Sequence, residues 1–212
     1  HFVALIKGYE EVAIHARFLL LSLVVGFNFN AFFLYIVSAP VFLGEHLHLG
    51  PQQYAWLFLP CIVGIILGAQ LSGRAAGRST PARTVTRAYG FMAIAALGNL
   101  AYAFAIAPSI PWAVLPIMIY GIGFAMAMPS VTLLTLDLFP TRRGMAASLQ
   151  GFVSGMVNVV TAGMISPAIS HDPRLLAVGM FVLMSIGFLS WRLYLRSARR
   201  KAAEPPRHLP SL

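Results

Sequence analysis

The sequence predicts an all-α membrane protein, a bundle of six transmembrane helices. Of its 212 residues, 58% are hydrophobic and only 10% are charged, and the mean hydropathy is +0.79. A soluble domain carries charge on about a quarter of its residues, so this chain has too few charges to cover a surface that faces water. A helix needs about 20 apolar residues to cross the hydrocarbon core. Six segments meet this length, at about 18–43, 54–73, 85–107, 112–136, 145–169 and 175–195.

The basic residues predict how these spans are oriented. All but one of the 15 Lys and Arg residues lie before the first span, between the second and third, between the fourth and fifth, or at and beyond the end of the sixth. Arg174 is the exception. Because cytoplasmic loops carry the excess of Lys and Arg, we expect a cytoplasmic linker over 1–17 and a basic cytoplasmic tail over 196–212. Charge spread over four separate segments argues against nucleic acid as a partner.

Prolines and glycines recur along the chain as an internal repeat would place them. Pro40 precedes Pro129 by the same number of residues as Pro51 precedes Pro140. The two G-x-x-x-G segments, 64–68 and 151–155, are separated by nearly that same number of residues. A three-span unit repeated once must be inverted, because three crossings end on the opposite side of the membrane. Nested inverted triplets build each half of a major facilitator transporter. The sequence therefore predicts half of a 12-helix major facilitator fold, made of two inverted three-helix repeats.

The G-x-x-x-G segments also predict close helix packing. Small residues four apart let helix backbones approach in lipid, where no hydrophobic effect drives association. The predicted packing residues are Gly64 and Gly68 on the second span, and Gly151 and Gly155 on the fifth. Two readings stay open for them, contact inside this bundle and contact with another bundle.

The interiors of the spans are polar or aromatic but not charged, which points to an uncharged or lipophilic solute. Asn28, Phe32 and Tyr35 share one face of the first span, and a similar stripe runs along the fourth. An amide in hydrocarbon needs a partner or a wet cavity. We predict a cavity for a bulky, mostly apolar solute; the alternative is an interhelical hydrogen bond with packed aromatics. The predicted cavity residues are Asn28, Phe32, Tyr35, Tyr120, Phe124 and Met128.

A proline inside the fourth span predicts a bend. Pro129 removes the backbone hydrogen bond to the carbonyl of Ala125 and crowds the preceding turn. Pro40, near the end of the first span, is its counterpart in the repeat. We predict a hinge at these prolines that moves during transport, with a static kink as the alternative.

One acid stands among many bases at the cytoplasmic ends of the spans. We predict that Asp137 pairs with Arg74, Arg142 or Arg143 and helps to latch this side. The stretch EHLHL (45–49) is not a metal site, because two His residues two positions apart do not share a helix face. No metal or other cofactor is expected.

Two longer motifs add a family resemblance. YIVSAPVFLGEHLHLGPQQYAWLF (35–58) and GMAASLQGF (144–152) resemble segments of the Bcr/CflA (bicyclomycin and chloramphenicol resistance) drug transporters of the major facilitator superfamily. The similarity fits spans seven to twelve of twelve. It implies a proton-driven antiporter in the bacterial inner membrane, which exports drug-like molecules by alternating access. Its partners would be the small-molecule substrate, protons, the lipid bilayer and an N-terminal six-span half of the same protein.

The departures from that family pattern are specific. Ser130 replaces an Asn that often follows the fourth-span proline, and GRAAGR (73–78) lacks the Asp usual in the Gly- and Arg-rich loop. The absent Asp puts a gating role of that loop in doubt.

Other functions remain open at this level. One is a major facilitator transporter of sugars, nucleosides or other metabolites, and another is a stand-alone six-span scaffold or half-size dimeric carrier. A membrane enzyme is not expected, because no catalytic cluster such as H-E-x-x-H is present. The chain begins with His1 and without a cleavable signal, so we expect further residues upstream.

Overall fold

The computed structural model describes residues 8, 9 and 11–203. Within these residues, six helices are long and apolar enough to cross a membrane, and no strand occurs, which confirms the predicted fold class. Part of the predicted linker (1–17) and of the predicted tail (196–212) lies outside the described residues. The long helices are α1 (Ala16–Val37), α2 (Ala55–Ala75), α3 (Pro81–Ala105), α4 (Leu115–Asp137), α5 (Arg143–Val160) and α6 (Pro173–Ala203).

Three helices differ clearly from the predicted spans at their ends. The fifth span was predicted at about 145–169, but α5 ends at Val160, and a π turn (Thr161–Ile165) and a short helix (Ser166–Ile169) follow. The first span was predicted at about 18–43. The helix α1 itself ends at Val37, and the next residue, Ser38, takes φ −87° and ψ 3°. A short helix (Ala39–Val41) and a π turn (Phe42–His46) follow. Pro40 explains the break, because it has no N–H to offer the Ile36 carbonyl and its ring crowds that carbonyl. At the other end, α6 continues to Ala203, through Ala, Arg and Lys residues that favour helix.

Side chains define several helix starts. Thr80 caps α3 by accepting a hydrogen bond from the Arg83 amide, and Pro81 occupies the first turn, where its missing N–H is not needed. At α6, Asp172 Oδ1 accepts from the Arg174 amide at 2.8 Å. These caps satisfy amide groups that a helix leaves open at its start.

The helix contacts follow the predicted inverted repeat. α4 packs mainly on α3 and α2, and α1 packs mainly on α6, then on α4 and α5. Exchanging α1 with α4, α2 with α5 and α3 with α6 turns the first set of contacts into the second. The remaining major contacts, α1 with α4 and α3 with α6, map onto themselves. The arrangement therefore has the pseudo-two-fold pattern expected of two three-helix units.

Glycines allow the closest of these approaches. A Cβ placed on Gly64 would collide with the carbonyl oxygen of Met118, and one on Gly68 would collide with the carbonyl of Ile122. On α5 the outcome differs, because a Cβ on Gly151 or Gly155 would meet nothing within 4 Å. The first G-x-x-x-G segment thus packs α2 on α4 inside the bundle, and the second has no neighbour in the described chain.

Most basic residues gather at one end of the bundle, which we call the basic end. Here Arg17 of α1 donates to the hydroxyl (3.0 Å) and the carbonyl oxygen (2.8 Å) of Ser197 in α6. Arg142 pairs with Glu11. We call the other end, formed by residues 38–54, 106–114 and 166–174, the opposite end.

Candidate functional site

An amide at the centre of the bundle joins four helices. Asn28 Nδ2 donates to the hydroxyl of Tyr89 on α3 (2.7 Å) and to the carbonyl of Val24 (2.7 Å). The Tyr120 hydroxyl on α4 donates to Asn28 Oδ1 (3.2 Å). Gly187 on α6 lies so close that a Cβ there would press on the amide. The polar atoms of Asn28 are thus satisfied inside the protein, as a buried amide requires.

A second network fixes the far part of α1. Asn99 Nδ2 on α3 donates to the Tyr35 hydroxyl at 2.7 Å and approaches the sulfur of Met180 on α6 at 3.4 Å. Phe42 packs edge-on against the Tyr35 ring, with 5.1 Å between centroids. All four side chains are buried. This network therefore ties α1 to the α3–α6 side of the bundle.

The predicted cavity residues are consequently divided between two environments. Asn28, Phe32, Tyr35 and Tyr120 are buried within the six helices in this conformation. For three of them the geometry is an interhelical hydrogen bond, which was the alternative to cavity lining. Phe124 and Met128, the other two residues, are only partly buried.

A half-buried group of rings lies between α1 and α4. Phe29 stacks on Phe33 (5.3 Å between centroids) and contacts Phe124 (5.7 Å), which in turn stacks on the buried Phe32 (6.0 Å). We call Phe29, Phe33, Phe124 and Met128 the aromatic face. None of its members carries a charge. Such a face offers apolar and π contacts to a bulky, lipophilic molecule.

Sequence reasoning missed Phe29 and Phe33, which lie one residue along from the predicted stripe. The available signal was their own four-residue spacing in α1. This spacing does not show which face of α1 points outward, because the protein interior and the lipid are both apolar.

The predicted hinge prolines lie at exposed positions. Pro129 sits within an unbroken α4 and lines a crevice of about 320 Å³ between the basic ends of α2, α3 and α4. Ser130, Ser72 and Thr84 also line this crevice and give it hydroxyl groups. Pro40 follows the end of α1 at the opposite end.

Asp137 was predicted to pair with Arg74, Arg142 or Arg143, and the structure shows one of these three pairs. Asp137 Oδ1 lies 3.3 Å from Arg143 Nη2. Arg142 pairs instead with Glu11, and Arg74 forms no ion pair with an acid in the described part of the chain. The Asp137–Arg143 pair closes the short turn between α4 and α5.

We expect Asp137→Asn to change stability little. Both side chains of the pair are more than half exposed, and exposed pairs contribute about 0–1 kcal/mol because water and salt screen them. Thermal unfolding of the purified protein at low and high salt measures the effect. The difference from wild type should shrink as salt rises; a loss above about 2 kcal/mol would contradict a solvent-screened pair.

The six long apolar helices make the chain a multi-pass membrane protein. The chain matches the family model of the Major Facilitator Superfamily over residues 18–210. The match covers nearly the whole chain and reaches into all six helices. The protein therefore belongs to the Major Facilitator Superfamily, as the repeat and the motifs predicted, and it is a membrane transporter and not an enzyme.

Curated relatives carry the name multidrug transporter MdfA. They come from Yersinia pestis bv. Antiqua (strain Angola) and from two further Yersinia pestis strains. Each is 24% identical to this chain over 154 residues, which make up 71% of the chain and 37% of the relative. The chain thus spans little more than a third of the length of these relatives. No solved structure gives a significant match.

Proposed function

We propose that this chain is the C-terminal half, spans seven to twelve, of a Bcr/CflA-type transporter that exports drug-like molecules. The observation that carries the proposal is the aromatic face between α1 and α4, which is uncharged and half-exposed. It suits cargo that is bulky and lipophilic. The name of the curated relatives, multidrug transporters, supports this class of substrate.

The proposed partner is an N-terminal six-span half of the same protein. The helices α2 and α5 flank the central pair and expose wide apolar surfaces, including Trp56, Leu59, Phe152 and Val159. A second six-helix bundle docked on these flanks would enclose the aromatic face in a central cavity. The unpartnered face of Gly151 and Gly155 would then pack against that bundle.

The proposed coupling is proton antiport through alternating access. Among the described residues, the acids Glu11, Glu45, Asp137 and Asp172 all lie at helix ends or in turns. We therefore assign the proton-carrying carboxylate to the other half. Efflux of a fluorescent dye by the full-length protein in a pump-deficient strain tests this, with and without a proton uncoupler. Uncoupler-insensitive efflux would refute antiport, and transport of sugars or nucleosides instead of dyes would favour the metabolite-transporter alternative.

The proposed location is the bacterial inner membrane, with the basic end in the cytoplasm. The Arg-rich turns at this end are the reason, by the positive-inside rule. Single cysteines at Ser79, near the basic end, and at His46, near the opposite end, provide the test in a Cys61→Ala background. A membrane-impermeant thiol reagent added outside intact cells should label position 46. Labelling of position 79 instead would reverse the topology.

We propose that Pro129 is a moving hinge. It leaves the Ala125 carbonyl without its helical partner, and the crevice beside it gives the basic end of α4 room to bend. Pro129→Ala should slow transport without loss of folded protein. An unchanged transport rate would contradict the moving hinge and favour the alternative, a static kink at Pro129.

Shortening the aromatic face should weaken drug recognition. We expect Phe29→Ala and Phe124→Ala each to raise the apparent KM for a lipophilic dye about tenfold, since an aromatic contact contributes about 1 kcal/mol beyond its buried area. Efflux kinetics in vesicles measure the effect. The matched control is Ile94→Ala, a well-exposed residue of α3, which should leave KM unchanged. Equal effects at Phe29 and Ile94 would contradict the assignment.

A further inference from the structure

A crevice at the opposite end lies between the end of α3 and the start of α6. Its volume is about 360 Å³, and its walls are formed by residues 103–108 and 172–174. Because one span ends and another begins here, the crevice lies where the chain leaves the hydrocarbon core. The exposed rings of Phe104 and Trp112 at this end agree with that depth, since aromatic side chains are enriched at the level of the lipid headgroups.

Two side chains of opposite charge line the crevice. Asp172 and Arg174 belong to its wall, and neither forms an ion pair within the described residues. Asp172 Oδ1 accepts from the Arg174 amide at the start of α6, which leaves Oδ2 without a hydrogen bond in the part of the chain that the structure describes. The Arg174 guanidinium lies over the Phe104 ring, 5.6 Å from its centroid. This cation–π contact positions the guanidinium and leaves its N–H groups available to a ligand.

Hydrogen bonds fix the loop that forms another wall of the crevice. The Tyr102 hydroxyl on α3 accepts from the Ser109 amide at 3.0 Å and donates to the carbonyl oxygen of Ala107 at 3.3 Å. The loop after α3 is thereby tied back to its own helix. The crevice is therefore formed before any ligand binds, as is usual for small-molecule sites.

The pair of charges selects a zwitterionic ligand. A simple anion would be repelled by the Asp172 carboxylate, and a simple cation would be repelled by the Arg174 guanidinium. A molecule with both a phosphate and an ammonium group can place the phosphate on Arg174, whose planar fork matches phosphate oxygens. Its ammonium can then donate to Asp172 Oδ2. A primary ammonium suits this oxygen better than a quaternary one, because only the primary ammonium has N–H groups to donate.

Exposed apolar side chains lead from the crevice toward the middle of the membrane. They form a stripe along one face of each of the two helices. The stripes consist of Ile94, Leu97 and Phe104 on α3, and of Leu175, Val182 and Ile186 on α6. The proposed partner half docks on α2 and α5, so these two stripes stay open to lipid. A headgroup held in the crevice therefore has apolar surface next to it for its acyl chains.

We propose that this crevice binds the headgroup of a phospholipid with a primary amine, a phosphatidylethanolamine. The phosphate contacts Arg174, and the ammonium contacts Asp172. The bound lipid bridges the end of α3 and the start of α6. This inference depends neither on which solute the transporter carries nor on which leaflet the crevice faces.

Lipid-dependent unfolding tests the site in the full-length protein. Tm is measured in detergent with added phosphatidylethanolamine, phosphatidylcholine or phosphatidylglycerol, all with the same acyl chains. A ligand that binds only the folded state stabilises it, so phosphatidylethanolamine should raise Tm by at least about 3 °C more than either of the other lipids. Equal shifts for the three lipids would overturn the proposal, and so would a larger shift with phosphatidylglycerol.

Two substitutions test the two contacts separately. Asp172→Asn keeps an oxygen that can cap α6 and removes the charge, so the advantage of phosphatidylethanolamine over phosphatidylcholine should disappear. Arg174→Gln should remove the additional response to phosphatidylethanolamine, because the phosphate loses its charged donor. The matched control is Arg192→Gln on the same helix at the basic end, where the guanidinium lies 6.0 Å from the Phe188 ring centroid. This control should keep the lipid preference of the wild type. A full preference for phosphatidylethanolamine in both crevice variants would overturn the proposal.

Discussion

Replacing Asn28 with Leu is expected to unfold much of the bundle, with a loss of about 2–6 kcal/mol. The estimate follows from the two hydroxyls, Tyr89 and Tyr120, that would lose their partner at the centre of four helices, at about 1–3 kcal/mol for each orphaned buried group. Thermal unfolding of the detergent-solubilised protein measures it.

The matched control for this change is Ser185→Ala. The Ser185 hydroxyl bonds only the Phe181 carbonyl of its own helix, at 2.7 Å, so its loss should cost well under about 1 kcal/mol. If Asn28→Leu kept its Tm but lost drug recognition, Asn28 would be a cavity residue and the interior network would be of minor importance.

The second large effect is expected at Gly68. Gly68→Val should reduce the folded yield severely, with a cost of at least about 3 kcal/mol, because the new side chain meets the backbone carbonyl of Ile122 and no rotamer can relieve this. Size-exclusion profiles and Tm of the full-length protein measure the loss. Gly68→Ala should show a smaller effect in the same direction, since its single methyl group already occupies the colliding position.

Gly151→Val is the matched control on α5. It has the same motif and the same substitution, but nothing lies within 4 Å of its Cβ position in this chain. We expect the six-helix bundle to fold normally. Reduced transport with a normal folded yield would support contact of this face with the proposed partner half. Equal loss of folding at both glycines would contradict the different packing of α2 and α5.

Sequence reasoning was most successful where a property depends on one segment alone. The number of spans follows from apolar length, and the order of Pro40, Pro129 and the glycine motifs anticipated the symmetric contacts. Rotation about each helix axis depends on the neighbours instead. Asn28 points into the bundle because its hydrogen-bond partners, the hydroxyls of Tyr89 and Tyr120, lie there. Neither tyrosine is near Asn28 in sequence.

The sequence likewise did not predict which residues of distant segments pair with each other. The register of α1 on α5 becomes clear only from the structure, in which Asn30 Nδ2 donates to Asn158 Oδ1 at 2.6 Å. For Asp137, three arginines were equally available by charge, and the turn between α4 and α5 brings Arg143 within reach. Charge identifies candidates, whereas backbone geometry selects among them.

The reliance of α1 on α6 has a consequence for synthesis in the cell. The first helix finds its main neighbour in the last, and Arg17 reaches Ser197 across nearly the whole chain. Such long-range contacts form late, since the intervening chain must be ordered first. While α2 to α5 are being synthesised, α1 therefore lies in the bilayer without the helix that covers its main packing surface. A chain truncated before residue 173 would leave α1 permanently without α6. The exposed packing surface of α1 would then be a target for the cell's membrane quality control.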